Sequence, residues 1–155
     1  MSSIENEVRE KLNNLAEVEF CYPLDIFSIS NQIEEELYPD SAVDLIIRDY
    51  GKHENAFVRR AILTTLRFIG SDFASKHIEL IRRGLKDDNG WVVYDSAWIL
   101  FNMDSISTED LTQLKIIASK FSSFSPEELD SFKPKESEEY ASKQAAEAIQ
   151  KHTKT

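Results

Sequence analysis

The strongest constraint on the fold is an internal repeat. The stretch SAVDLIIRDYGKHENAFVRRAILTTL, Ser41 to Leu66, can be laid over SKHIELIRRGLKDDNGWVVYDSAWIL, Ser75 to Leu100, at an offset of 34 residues. Identities fall at Ser41/Ser75, Ile47/Ile81, Arg48/Arg82, Lys52/Lys86, Asn55/Asn89, Val58/Val92 and Leu66/Leu100, seven in 26 positions. Ile46 also lies over Leu80 and Phe57 over Trp91. Each copy reads as a helix, a polar turn and an aromatic-valine pair that opens a second helix. A period of this length is the mark of stacked helical supersecondary units.

Helical spacing supports the reading inside each copy. Val43, Ile46, Ile47 and Tyr50 form one apolar stripe, and Phe73, Ile78, Ile81 and Leu85 form the next. Leu111, Leu114, Ile117 and Ala118 continue the series, with Ser107 and Asp110 as a capping pair at the start of that helix. The third unit is then interrupted. SKFSSFSPEELDSFKPK, residues 119 to 135, is rich in Ser and Pro and reads as an insertion carrying a short helix that opens at Ser125-Pro126-Glu127-Glu128. Its second helix is ESEEYASKQAAEAIQK, where Tyr140, Ala146 and Ile149 take the places of Trp91, Ala97 and Leu100. At the other end IENEVREKLNNLAEVEF and SISNQIEEELY form a less regular pair, as terminal units do when only one neighbour packs on them. VEFCYPL between them alternates and contains a proline, so it reads as a loop or a short extended piece.

Only four glycines and four prolines occur in 155 residues, a composition for helices joined by short turns. The expectation is an all-α fold, one helical-repeat domain over residues 1–155 with approximate units 1–38, 39–70, 71–104 and 105–152. Cys21 is the single cysteine, which excludes an intramolecular disulfide. The first residues, MSSIENEVREKL, carry acids where a secretion signal needs an apolar run, and no apolar stretch approaches the roughly 20 residues that span a bilayer. A cytoplasmic protein with no membrane association is expected.

HENAFVRRAILTTLRFIG and DDNGWVVYDSAWILFNMD resemble the second helix of HEAT-like repeats, Asp-x-x-x-Val-Arg-x-x-Ala-x-x-Ala-Leu. Val58 and Arg59 fit that pattern, whereas the second copy has Val93 and Tyr94 and lacks the arginine. The resemblance covers about residues 39 to 104. It implies a short right-handed solenoid of antiparallel helix pairs that binds protein or nucleic acid on a concave face.

Within the second copy, one helix face collects Val92, Ser96, Ile99, Leu100 and Met103, and another collects Trp91, Tyr94, Asp95, Trp98 and Asn102. Two roles are open to the aromatic stripe. It can fill the gap between neighbouring helices, or it can anchor a partner, since Trp and Tyr dominate the centres of tight interfaces. Asp95 favours the second role, because a carboxylate is rarely left in an apolar core, and Arg60 or Arg67 is available to pair with it in either case. The candidate partner-binding set is Asp87, Asp88, Trp91, Tyr94, Asp95, Trp98, Asn102, Arg60 and Arg67.

Charge is distributed in blocks along the net −10 chain. Residues 1–50 hold twelve acids against three bases, residues 51–86 three against eight, and residues 87–155 thirteen against seven. Acidic ends of this kind either keep the surface solvated or draw in a cationic partner. Nucleic acid is disfavoured by the net sign, and only the band Arg59, Arg60, Arg67, Arg82 and Arg83 speaks for it.

No catalytic pattern emerges. His53, His77 and His152 lack the spacing of a metal site, the glycines are isolated, and adjacent carboxylates such as Glu34 to Glu36 diverge on a helix. The expectation is therefore a binding protein with no enzymatic activity, cofactor or metal. HEAT-like DNA glycosylases use tryptophans and an aspartate too, but they need a basic cleft. Small size, acidity and composition resemble the immunity proteins of contact-dependent growth inhibition. That resemblance implies a basic toxin, such as a nuclease, as partner. The alternative is a HEAT-like scaffold or regulatory subunit of a cellular complex.

Overall fold

The computed structural model describes residues 3–120 and 126–154, and among them every regular element is helical. The chain forms two compact units, Met1–Phe73 and Ala74–Thr155. The elements are α1 (Ser3–Leu15), α2 (Pro23–Gln32), α3 (Ala42–Tyr50), α4 (Ala56–Ile69), α5 (Ser71–Ala74), α6 (Ile78–Gly84), α7 (Gly90–Asn102), α8 (Thr108–Ala118), α9 (Pro126–Ser131) and α10 (Ser137–Thr153).

In the first unit, α1 buries Val8, Leu12 and Leu15 on one face, α3 buries Val43, Ile46, Ile47 and Tyr50, and α4 buries Val58, Ile62 and Leu66. The apolar stripe expected on α3 is thus the core stripe. The start of α2 differs from expectation, since Pro23 and Leu24 belong to the helix and not to the preceding loop. Pro23 fits the first helical position because its missing N–H would have no intrahelical acceptor there. Asp25 completes the start by accepting the Tyr22 N–H at 2.9 Å. The helix then widens into a π-helical turn over Ile33–Leu37, closed by the Tyr38 N–H on the Ile33 carbonyl at 2.8 Å. A polar seam joins α2 to α4: the fully buried Ser30 hydroxyl donates to the Ala61 carbonyl at 2.9 Å, and Thr65 Oγ1 donates to the same carbonyl at 2.7 Å.

In the second unit the helix expected across Phe73 to Leu85 is broken. Ser75–His77 forms a 3-10 turn, and His77 leaves helical dihedrals at φ −114° and ψ 31° before α6 begins. A three-residue turn shifts the apolar stripe too little to register in a 3.6-residue periodicity. Ile81 and Leu85 are buried as expected, while Ile78 is half-buried.

The repeat is visible in the bonds at the helix starts. Asn55 accepts the N–H groups of Phe57 and Val58 at 2.8 and 3.2 Å, and Asn89 accepts those of Trp91 and Val92 at 3.0 and 3.2 Å. Their backbones match, at φ −83° and ψ 126° against φ −87° and ψ 121°. Two residues upstream, His53 Nδ1 takes the Asn55 N–H and Asp87 Oδ1 takes the Asn89 N–H, each at 2.9 Å. The copies diverge at Arg59, whose guanidinium ties down the His53 and Glu54 carbonyls at 2.9 and 2.8 Å, because Val93 at the corresponding place has no donor to offer.

Candidate functional site

The aromatic stripe is placed by the packing of α7 against α10. The two helices run parallel. Gly90 meets Ser137 at their N-terminal ends, while Lys151 and His152 of α10 reach the carbonyls of Leu100, Phe101 and Met103 at the C-terminal end of α7. Small residues make the approach possible: Ala141, Ala145 and Ala148 of α10 and Ala97 of α7 are all at most 2% exposed. A cationic side chain at a helix C-terminus both satisfies the last carbonyls and complements the helix dipole. Ser142, fully buried, ties α10 to α8 by donating to the Ile117 and Ala118 carbonyls at 2.8 and 2.9 Å. None of these long-range bonds has a local sequence signal.

With α7 and α10 parallel, Tyr140 comes up beside the stripe. Trp91 packs against Tyr140 in a tilted arrangement, with centroids 5.1 Å apart and ring planes at 36°, and meets Tyr94 edge to face at 5.5 Å. Tyr94 meets Trp98 at 5.5 Å and Tyr140 at 6.1 Å, both edge to face. These separations lie in the favourable range for aromatic pairs. All four rings are half-buried, so the cluster is welded together and still shows part of its surface. The opposite face, Val92, Ser96, Ile99, Leu100 and Met103, is wholly buried.

The remaining expected site residues divide. Asp88 and Asn102 are exposed, and Asp87 is half-buried with an oxygen committed to the Asn89 N–H. Asp95 differs from the expectation of a surface anchor. It is fully buried and is not left without a partner, which offsets the cost of taking a carboxylate out of water. Arg60 and Arg67 sit half-buried on α4 in the first unit, with the Arg67 guanidinium over the Phe68 ring at 5.5 Å. The structure therefore groups Trp91, Tyr94 and Trp98 into one cluster, adds Tyr140 to it, and places Asp95 out of solvent.

Carboxylates collect at the paired N-termini of α7 and α10. Asp87 and Asp88 precede α7, and Glu136, Glu138 and Glu139 open α10, where Glu139 accepts the Glu136 N–H at 2.9 Å. Acids here complement the helix dipoles, and Asp88, Glu136 and Glu138 are exposed at the starts of the helices that carry Trp91 and Tyr140.

The arginine band is largely committed to structure. Arg59 holds the loop before α4, and Arg82 donates to Asp110 at 2.8 Å and to Glu79 at 2.6 Å, linking α6 to α8. The hydrogen bonds that Arg82 donates to Asp110 and Glu79 push its guanidinium up from its ordinary value. Burial pushes the Asp110 carboxyl up, but the bonds from Arg82 and Ser107 outweigh it and hold the group below the usual carboxylate range. Ser107 is the expected cap of α8, accepting the Asp110 N–H at 3.1 Å. For Cys21, burial and then Asp25 push the thiol up against the opposing pull of Arg60, so it stays protonated near neutrality and is a poor nucleophile. Among the described residues no group of His, Cys, Asp or Glu could hold a metal ion, and no helix is long and apolar enough to cross a membrane. Of the insertion expected over residues 119–135, α9 is a short helix as anticipated, while residues 121–125 lie outside the described residues.

Sequence reasoning missed one exposed feature. Of the seven large hydrophobic side chains that are exposed among the described residues, four lie in VEFCYPL: Val18, Phe20, Tyr22 and Leu24. Beside them an open pocket of about 320 Å³ is lined by Leu15, Val18, Phe20, Cys21 and Ile29, with Lys11 and Asp25 among its polar groups. The alternation of that segment was the only signal in the sequence, and it gave no indication of exposure.

No protein-family model, curated protein or solved structure matches this chain. The functional reading rests on the side chains themselves.

Proposed function

We propose that the chain is a stoichiometric protein-binding module for a cationic partner, with Trp91, Tyr94, Trp98 and Tyr140 as its anchor and Asp88, Glu136 and Glu138 as its charged rim. The observation that carries this reading is the half-buried aromatic cluster on two helices whose paired starts carry exposed carboxylates. Aromatic rings attract Lys and Arg through their faces, and exposed acids steer a basic protein toward them, so one patch supplies both binding energy and association rate. The matched caps at Asn55 and Asn89 support a HEAT-like repeat, and the proposed architecture is a short right-handed solenoid. The particular function proposed is that of a cytoplasmic immunity protein which occludes the active site of a basic toxin, such as a nuclease, because a protein that grips phosphates must present a cationic surface.

The test uses tagged wild type, Trp98→Ala and the double charge reversal Asp88→Lys/Glu138→Lys as baits in native host lysate, eluted across a salt series, with helicity checked by circular dichroism. The reading expects a basic protein retained by wild type, weakened at least tenfold by either folded variant, and inhibited in its own activity by added wild type. Recovery of nucleic acid released at moderate salt, or a partner retained equally by all three baits, overturns it.

A further inference from the structure

Exposed apolar side chains gather around a cleft in the first unit. Val18, Phe20, Tyr22 and Leu24 are 44%, 68%, 65% and 74% exposed, and several large apolar side chains left together in water mark an interaction surface. Their surroundings have a definite form. The open pocket of about 320 Å³ takes Lys11, Asn14 and Leu15 from one side of α1 and Asp25, Ser28 and Ile29 from one side of α2, while Val18, Phe20 and Cys21 come from the segment that joins the two helices. Leu15 and Ile29 are buried and give the cleft an apolar floor, whereas Val18 and Phe20 stand exposed at its edge. Tyr22 meets Phe20 edge to face at 4.9 Å, and Leu24 lies one helical turn before Ser28, on the same side of α2. Lys11 donates to Gln32 at 2.6 Å, which ties the two walls together.

Shape and charge select the occupant. A small-molecule site covers most of its ligand, but this cleft is open, so whatever fills it must bring its own cover, as a protein surface does. The joining segment turns at Ala16 and Glu17 and bends at Glu19, so it presents no strand edge and recognition falls to side chains. A helix meets that requirement, because its backbone is satisfied internally and it projects apolar side chains three or four residues apart into a groove. Around the cleft Glu17, Glu19 and Asp25 are exposed, against the half-buried cations Lys11 and Arg60, the latter near Cys21. A second copy of this chain would bring the same carboxylates up against them, which like-charge repulsion opposes. We infer that the cleft between α1 and α2 receives an apolar side chain, of the size of Leu or Phe, from an amphipathic cationic helix of a partner protein. That side chain packs on Val18, Leu15 and Ile29, a second one turn away packs on Phe20 and Tyr22, and Lys or Arg on the flanks of the helix meets Glu17, Glu19 and Asp25. This surface shares no residue with the aromatic cluster on α7 and α10.

Cys21, the single cysteine of the chain, lines the cleft and reports on its occupation. The probe is a blocked, hydrocarbon-stapled helix of about four turns, built from Ala, Lys and two Leu one turn apart. It is titrated into the full chain by fluorescence anisotropy, and the rate at which iodoacetamide alkylates Cys21 is followed in parallel. The comparisons are a probe of the same composition with its leucines on opposite faces, a probe with Glu in place of Lys, and the variants Phe20→Ser/Leu24→Ser and Glu17→Lys/Glu19→Lys. All four replaced side chains are exposed, so the variants keep the fold, and circular dichroism verifies it. The expected result is saturable binding that slows alkylation of Cys21 at least tenfold. Affinity falls at least tenfold when the leucines are separated and in Phe20→Ser/Leu24→Ser, it weakens in Glu17→Lys/Glu19→Lys, and the Glu probe does not bind. Trp98→Ala leaves the titration unchanged, which separates this surface from the proposed toxin-binding patch. Should a variant fail to fold, the protection of wild-type Cys21 and the separated-leucine probe decide alone. No binding, binding that leaves alkylation unchanged, or binding indifferent to the placement of the leucines overturns the inference, as does sedimentation of the wild type as a dimer that Phe20→Ser/Leu24→Ser dissolves.

Discussion

Thr64 buries a hydroxyl completely, and among the described residues its oxygen is the one buried side-chain atom without a hydrogen-bond partner. Leaving a polar group in that state costs on the order of 1–3 kcal/mol, whereas Val fills almost the same volume with no polar atom. Thr64→Val is therefore expected to stabilise the chain by about 1 kcal/mol, read as a higher urea midpoint at unchanged slope. A lower midpoint would mean that the hydroxyl is bound by water. Asp110 makes the opposite case. Its carboxyl is held low by Arg82 and Ser107, so it contributes stability above its unfolded value of about 3.9, and that contribution disappears as pH falls through the lower folded value. Thermal midpoints of wild type and Asp110→Asn should differ at pH 7 and converge in the acid range below about 4, whereas parallel profiles would remove the pair from the stability of the second unit.

At the scale of elements, the offset of 34 residues forecast more than helix positions. It paired Asn55 with Asn89, and both cap a helix with the same two bonds, so Asn55→Ala and Asn89→Ala should each cost about 1 kcal/mol by chemical denaturation. Gly90 beside the second cap has no counterpart in the first, where Ala56 opens α4. A Cβ on Gly90 would lie 2.8 Å from Ser137 Cβ and 3.0 Å from the Glu138 nitrogen, so α10 would have to shift. Gly90→Ala is expected to destabilise by roughly 1–3 kcal/mol although alanine is the better helix former, and Ser137→Gly should recover part of the loss. The stripes on α3 and the capping of α8 were legible because both depend on residues three or four apart. The contacts of Ser142, Lys151 and His152 were not, since their partners lie 24 to 52 residues away and a polar side chain gives no sign of which distant carbonyl it will meet. The aromatic stripe was half legible: spacing put Trp91, Tyr94 and Trp98 on one face, but only the parallel packing of α10 adds Tyr140, and only burial removes Asp95 from the surface.

For the whole molecule, charge and exposed apolar surface act against each other. At pH 7 the net charge of −10 keeps copies apart even though Val18, Phe20, Tyr22 and Leu24 offer adhesive surface. That repulsion vanishes near the isoelectric point, about 4.8 for this composition. Light scattering of concentrated wild type should therefore rise sharply between pH 5.5 and 4.5, approximate limits set by the loss of colloidal repulsion. Phe20→Ser/Leu24→Ser, with the same charge but without two of the most exposed apolar side chains, should scatter much less across the same interval. The double charge reversal Asp88→Lys/Glu138→Lys should move the maximum to higher pH and leave its height unchanged. If instead both variants trace the wild-type curve, association near the isoelectric point comes from general unfolding, and the exposed apolar side chains from Val18 to Leu24 are not the adhesive surface of the molecule.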